Sequence, residues 1–195
     1  MALIRPLRGK TPQIGPGTFV AETAVIIGDV TIGESCSIWY HAVIRGDVHF
    51  IRIGNRTNIQ DGAILHCTYQ RAPLEIGEEV TIGHGAIVHG CRIGNRVLVG
   101  MGAIILDHAE VADEVLIAAG ALVPQGARLE SGYLYAGIPA RPIRLLSPEQ
   151  IETLRESAIR YIGYKEWYEK SELIETHPVL REGMDVAPPG LEPGS

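Results

Sequence analysis

An aliphatic residue returns at every sixth position through most of this 195-residue chain. The series runs Val20, Ile26, Ile32, Ile38, Ile44, resumes at Ile53, Ile59, Leu65 and again at Ile76, Ile82, Val88. It then continues through Ile93, Val99, Ile105, Val111, Ile117, Val123 and Leu129, about eighteen hexads in near-continuous register. Six fits neither a 3.6-residue nor a 7-residue helical repeat. It divides by two, so short strands joined by tight corners satisfy it. Three hexads then form one triangular coil, and stacked coils form a solenoid with neighbours about 4.8 Å apart. The aliphatic points inward. A small or branched residue four positions later (Ala24, Cys36, Ala63, Val80, Ala103) fills a corner. Composition agrees: there are 23 glycines but only two Phe and two Trp, so the core must be Ile, Val, Leu and Ala.

The register breaks three times: nine residues from Ile44 to Ile53, eleven from Leu65 to Ile76, and five from Val88 to Ile93. The first two read as outward insertions, and all three flank the same polar residues. Past the repeats, Ser147-Pro148-Glu149-Gln150 reads as an N-cap, a Pro at the first helical position and a Gln closing a capping box. Ile151, Leu154, Ala158, Tyr161 and Ile162 keep a helical period, predicting a helix to about Lys170. The expected organisation is a β-helix domain over 1–146, a C-terminal helix segment over 147–174 and a Pro/Gly-rich tail without its own fold over 175–195.

The chain carries 17 Lys+Arg against 23 Asp+Glu, a formal charge of −6, with no basic stripe for nucleic acid. No apolar run is long enough to span a bilayer, and the first residues lack the apolar stretch of a signal peptide. Three cysteines, Cys36, Cys67 and Cys91, are an odd count, which predicts free thiols and a cytoplasmic setting.

Coil stacking converts spacing into proximity. The hexads opening at Ile44, Leu65 and Val88 share one face in successive coils, and the residue after each aliphatic points outward. Those residues are Arg45, His66 and His89, so the two imidazoles should stack. Gln60, Asp61 and His84 lie on the adjacent face, with Asp61 and His84 at the same step of their hexads. A corner separates His84 from His66 and His89. One chain would struggle to aim all three rings at one point, whereas a second copy can supply the third. That arrangement predicts a cyclic homotrimer with a site in each interface. Three neutral imidazoles suit Zn²⁺ and leave a fourth position open, and Fe²⁺ or Co²⁺ accept the same set. Such an ion brings the pKa of bound water to about 7. Taken singly, an outward His is a solvated surface residue, which is the reading for His41, His49, His108 and His177. Arg45 and Asp47 form either a surface ion pair of little worth or, in an interface, a lock that orders the site. Cys91 reads as packing, and Cys67 as a weak alternative ligand beside His66.

The segments Arg45-Gly-Asp47, Asn58-Ile-Gln60-Asp61-Gly, Leu65-His66, His84-x4-His89-Gly-Cys and Gly94-to-Ala103 resemble the gamma-class carbonic anhydrase family of hexapeptide-repeat proteins, in its short bacterial branch. The resemblance runs from about Pro12 to Lys170. It implies an all-β, left-handed parallel β-helix with a C-terminal α-helix, assembled as a homotrimer with metal at its interfaces. It implies reversible hydration of CO2 to bicarbonate, with Gln60 hydrogen-bonding the metal-bound water or hydroxide. Arg45, Asp47 and Asp61 match residues forming interface ion pairs, Asn58 lies nearby, and Tyr161 of the helix matches a tyrosine approaching the metal. Two departures bear on turnover. Val48 stands where well-studied members carry Glu after the Asp, and the loop between the first two ligands is only Cys67 to Glu75, with no obvious counterpart of the proton-relaying Glu. Three further readings of the same residues remain. They are hydrolysis of a thioester by the same hydroxide, acyl transfer from CoA (favoured by Gly137-Ile138-Pro139-Ala140 at the end of the repeats), and a non-catalytic metal-binding assembly.

Overall fold

The structure, a computed structural model, describes residues 1–171. Short parallel strands stack in register exactly one coil apart in sequence: Ile38 pairs Ile59, Ile59 pairs Ile82, Ile82 pairs Val99 and Val99 pairs Ile117. The hexad aliphatics form one continuous core. Ile26, Ile38, Ile44, Ile59, Leu65, Ile82, Ile105 and Ile117 are wholly buried, with Ala24, Ala63, Ala86 and Ala103 packed at the corners. Coil spacing is tight enough to dictate residues at the bends. A Cβ added to Gly54 would lie 2.6 Å from the backbone of Gly77, closer than real Cβ atoms approach.

The three walls have different outward chemistry. One wall contains Phe19–Val20, Ser37–Ile38, Asn58–Ile59, Thr81–Ile82, Leu98–Val99 and Leu116–Ile117, and is covered by the C-terminal helix. The second presents an aliphatic column, Leu3, Val25, Val43, Ile64, Ile87, Ile104 and Leu122, each paired with the next. None of these side chains is fully buried, and Ile64 is 44% exposed. The third presents charges of alternating sign, Arg52, Glu75, Arg92, Glu110 and Arg128, in successive register. Ion pairs link Arg92 to Glu75 and Arg128 to Glu110 across coils. The stack ends in a hairpin, Tyr133–Ala136 with Arg141–Leu145, the one antiparallel pairing of strands among the described residues.

The helix spans Pro148–Glu169 with Ser147 as N-cap and the expected capping box with Gln150. It ends before Ser171, so the expected segment to 174 is described only in part, and the tail over 175–195 lies outside the described residues. Leu154 and Ala158 are buried against the first wall. Trp39 anchors the last turns, with Tyr161 and Tyr168 edge-on at 5.6 and 5.0 Å. Lys165 donates to the Gly17 carbonyl at 2.7 Å, fixing the helix to the first coils.

The expected first insertion takes another form. Val43–Ile53 is one strand that bends from the second wall to the third, and its extra residues, Asp47 to Phe50, are taken up as a bulge opposite Asp29. A strand can absorb them because its neighbours on both walls keep their own register. Replacing a rung of the core should cost what a cavity costs: Ile82→Ala is expected to lower unfolding free energy by about 2–5 kcal/mol in denaturant titration.

Candidate metal centre

The stack brings His66 and His89 into register as paired residues of adjacent strands, Ile64–His66 and Ile87–His89. Their rings lie 5.0 Å apart, and His66 Nδ1 faces His89 Nε2 at 3.0 Å. Each ring is held from behind by a carboxylate. His66 Nε2 lies 2.9 Å from Asp47 Oδ1, and His89 Nδ1 lies 2.5 Å from Asp107 Oδ1. At the next corner, His84 Nδ1 is 2.9 Å from Asp61 Oδ2. All three histidines are therefore in carboxylate–imidazole pairs, an arrangement that fixes the tautomer and aims the other nitrogen outward.

Electrostatics keep the pair in a usable form. Burial pushes the His66 pKa below its ordinary value, outweighing the opposing pull of Asp47, so the ring is neutral at pH 7. Burial acts to raise Asp47, but hydrogen bonds from His66 and Arg45 prevail and hold its carboxyl below the usual range. Asp107 behaves alike, with burial outweighed by hydrogen bonds from Thr68 and His89. If both outer nitrogens donate to carboxylates, both inner nitrogens present lone pairs to each other. A shared proton or a metal ion between them would satisfy both lone pairs. Tetrahedral Zn²⁺ asks its ligand nitrogens to be about 3.3 Å apart, so the rings need to part by only about 0.3 Å. Three carboxylates, the Arg45 guanidinium and a divalent ion also sum to zero charge.

His84 does not join the other two within one chain. Among the described residues no three His, Cys, Asp or Glu side chains converge on a common point. The corner expected from spacing does separate them. Gln60 belongs to the His84 side: it is 6% exposed, its Oε1 accepts from the His84 backbone N–H at 3.1 Å, and its Nε2 donates to Asn58 Oδ1 at 3.1 Å. Asn58 is in turn anchored to Thr81. Tyr161 lines the same groove with Gln60 and His84, and burial followed by Asp61 raises its hydroxyl pKa. Cys67 is buried, its thiol pushed up to about 12 by desolvation, and it donates to the Phe50 carbonyl at 3.4 Å. Cys91 is also buried, as packing.

Arg45, Asp47 and Asp61 all have contacts within one chain. Arg45 and Asp47 pair with each other inside one chain, and Asp47 then holds His66. Asp61 holds His84. Within one chain both carboxylates thus face a histidine ring, because stacking puts each within reach. Asp107 escaped the sequence reading altogether. It stands two positions after Ile105, whereas the outward column was followed only through the residue next to each aliphatic. Continuing one coil past His89 and one step along finds it.

Comparisons with known proteins place the chain in a family. The bacterial transferase hexapeptide (six repeats) profile matches residues 11–46 and 90–125. Protein YrdA of Escherichia coli is 53% identical over 172 residues, covering 85% of this chain and 94% of that protein. A carbonic anhydrase of Geobacillus kaustophilus is 43% identical over 166 residues, covering 85% and 91%. The chain belongs to the gamma-class carbonic anhydrase family. A solved hexapeptide transferase family protein from Anaplasma phagocytophilum superposes with a TM-score of 0.82 at 42% identity, covering 85% of this chain and 98% of that one. The family implies a metal cofactor and a small-molecule substrate.

Because the folded pKa of Asp47 is depressed, its contribution to stability is present above the unfolded carboxylate pKa of about 3.9 and is lost as pH falls through the folded value. Thermal melts of Asp47→Asn should therefore lie below wild type at pH 7, and the gap should close as pH drops below about 4.

Proposed function

We propose that this chain forms a homotrimer that interconverts CO2 and bicarbonate at a divalent metal held between subunits, by His66 and His89 of one copy and His84 of the next. The observation that carries the reading is the facing of two imidazole nitrogens at 3.0 Å, each ring backed by a carboxylate. The aliphatic column on the same wall supports assembly, since an apolar surface beside a half-built site favours burial against another copy. No helix among the described residues is long and apolar enough to cross a membrane. Three free, buried thiols suit the reducing cytoplasm we assign to the protein.

A divalent ion bound there supplies hydroxide near neutral pH, and Zn²⁺ suits the donor set best, with Fe²⁺ or Co²⁺ acceptable. The chain's own residues do the rest. Asp47, Asp61 and Asp107 hold the three rings in single orientations. Gln60 has its oxygen engaged by the His84 N–H and one amide hydrogen by Asn58, so its remaining hydrogen is free to donate to an oxygen of substrate or nucleophile. Tyr161 keeps its phenolic proton and borders the same groove. Val48 in place of a carboxylate leaves proton release to bulk water, which favours modest turnover.

Acyl transfer is the second reading, prompted by the transferase likeness. It would use a histidine as a base with an open nitrogen, and His66 and His89 instead spend theirs on each other. Metal analysis separates the two. Native mass measurement should give a trimer with about three metal ions, one per interface. CO2 hydration by Zn-, Co- and Fe-loaded protein should fall at least about tenfold in His89→Ala, and equal rates in variant and wild type would remove the proposal. Ile87→Lys, which puts a charge on the apolar wall, should yield monomers that have lost most of their metal.

A further inference from the structure

The register breaks after Leu65 and Val88 converge on one side chain. The longer step leads into a small loop closed on itself, with Thr68 N–H donating to the Ala72 carbonyl at 3.1 Å. The loop is tied down by Gln70 N–H to the Val48 carbonyl at 3.3 Å. This places the Thr68 hydroxyl 2.5 Å from Asp107 Oδ2, across 39 residues of sequence. The shorter step places Gly90 next to His89 at φ +49°. A Cβ at Gly90 would collide with the Asp107 carboxylate and sit 2.7 Å from Ala72 Cβ, so only glycine leaves the carboxylate room. Asp107 itself comes from the following coil and gives its other oxygen to His89 Nδ1.

We infer that Asp107, latched by the Thr68 hydroxyl beneath Gly90, is the positioning residue that makes His89 offer Nε2 to the metal. The inference rests on the metal reading above. A carboxylate accepting from Nδ1 keeps the proton there and leaves the Nε2 lone pair facing His66 Nδ1. Thr68 matters because Asp107 would otherwise have one oxygen free to swing toward solvent. With each oxygen engaged by one partner, the carboxylate has a single orientation, and the ring inherits it. Here the loop between the first two ligands serves to hold a carboxylate under the third, His89.

The test is metal affinity, measured on the full chain by chelator competition with Zn²⁺ and Co²⁺. Asp107→Ala should bind about 10–100-fold more weakly than wild type, the range for lost outer partners of ligand histidines. Thr68→Val, which keeps the volume and removes the hydroxyl, should also weaken binding, while Thr68→Ser should restore it. The visible spectrum of the Co²⁺ form should change in Asp107→Ala and Thr68→Val and match wild type in Thr68→Ser. A purely structural role would lower the melting temperature of the metal-free protein and leave affinity and spectrum alone. Should Asp107→Ala fail to fold, Thr68→Val carries the same comparison. Wild-type affinity in both variants overturns the inference even if the wild type binds metal well. A wild type that binds no metal overturns the proposed function with it.

Discussion

The hydrogen bonds between successive coils set everything else in this molecule. Each coil is held to the one above by backbone pairs such as Ile64 N–H to the Ala86 carbonyl and Gly85 N–H to the Asp61 carbonyl, both 2.9 Å. These bonds turn a count along the chain into a vertical position. His66 and His89 meet because 23 residues make one coil there, and Asp61 reaches His84 for the same reason. The centre is not built by loops folding over a scaffold. It is written into the lengths of individual coils, and residues are added or withheld beside the histidines while the rungs above and below keep their spacing.

Three walls with one core have three different outward columns, and each column has its own use. The first is closed off by a helix whose capping box and aromatic anchor fix it at both ends. The third satisfies itself, as opposite charges alternate from coil to coil and find partners vertically. Exposed pairs of this kind add little stability each, yet they leave that wall nothing to offer an apolar surface. Among the described residues, the second wall carries an aliphatic column beside two facing histidines. On the proposed reading, assembly and metal binding fall to the same surface, and each strengthens the other through linkage.

Much of this could be read from the residues alone. The hexads located the core rung by rung, Ser147 to Gln150 located the helix start, and the arithmetic of coils put His66 over His89 and His84 around a corner. What stayed hidden was partner choice among the carboxylates. Asp47 sits in a bulge whose shape no hexad predicts, so its reach to His66 emerged only with the strand's bend. Asp107 lies at a corner step, outside the alternation used to sort inward from outward. Short-range chemistry at bends depends on backbone paths that a periodic pattern averages away, whereas the walls between bends follow it faithfully.

The hairpin that ends the stack has a consequence for solubility. A parallel solenoid exposes unpaired backbone at each end, and identical molecules could in principle add there without limit. On the first wall the final strand, Tyr133–Ala136, is capped by Arg141–Leu145 running in the opposite direction, so an incoming copy would meet a strand of reversed polarity there. Pro142 has no amide hydrogen to offer, and Arg141 and Arg144 put like charges on the rim. End-to-end strand addition is thereby discouraged along that wall.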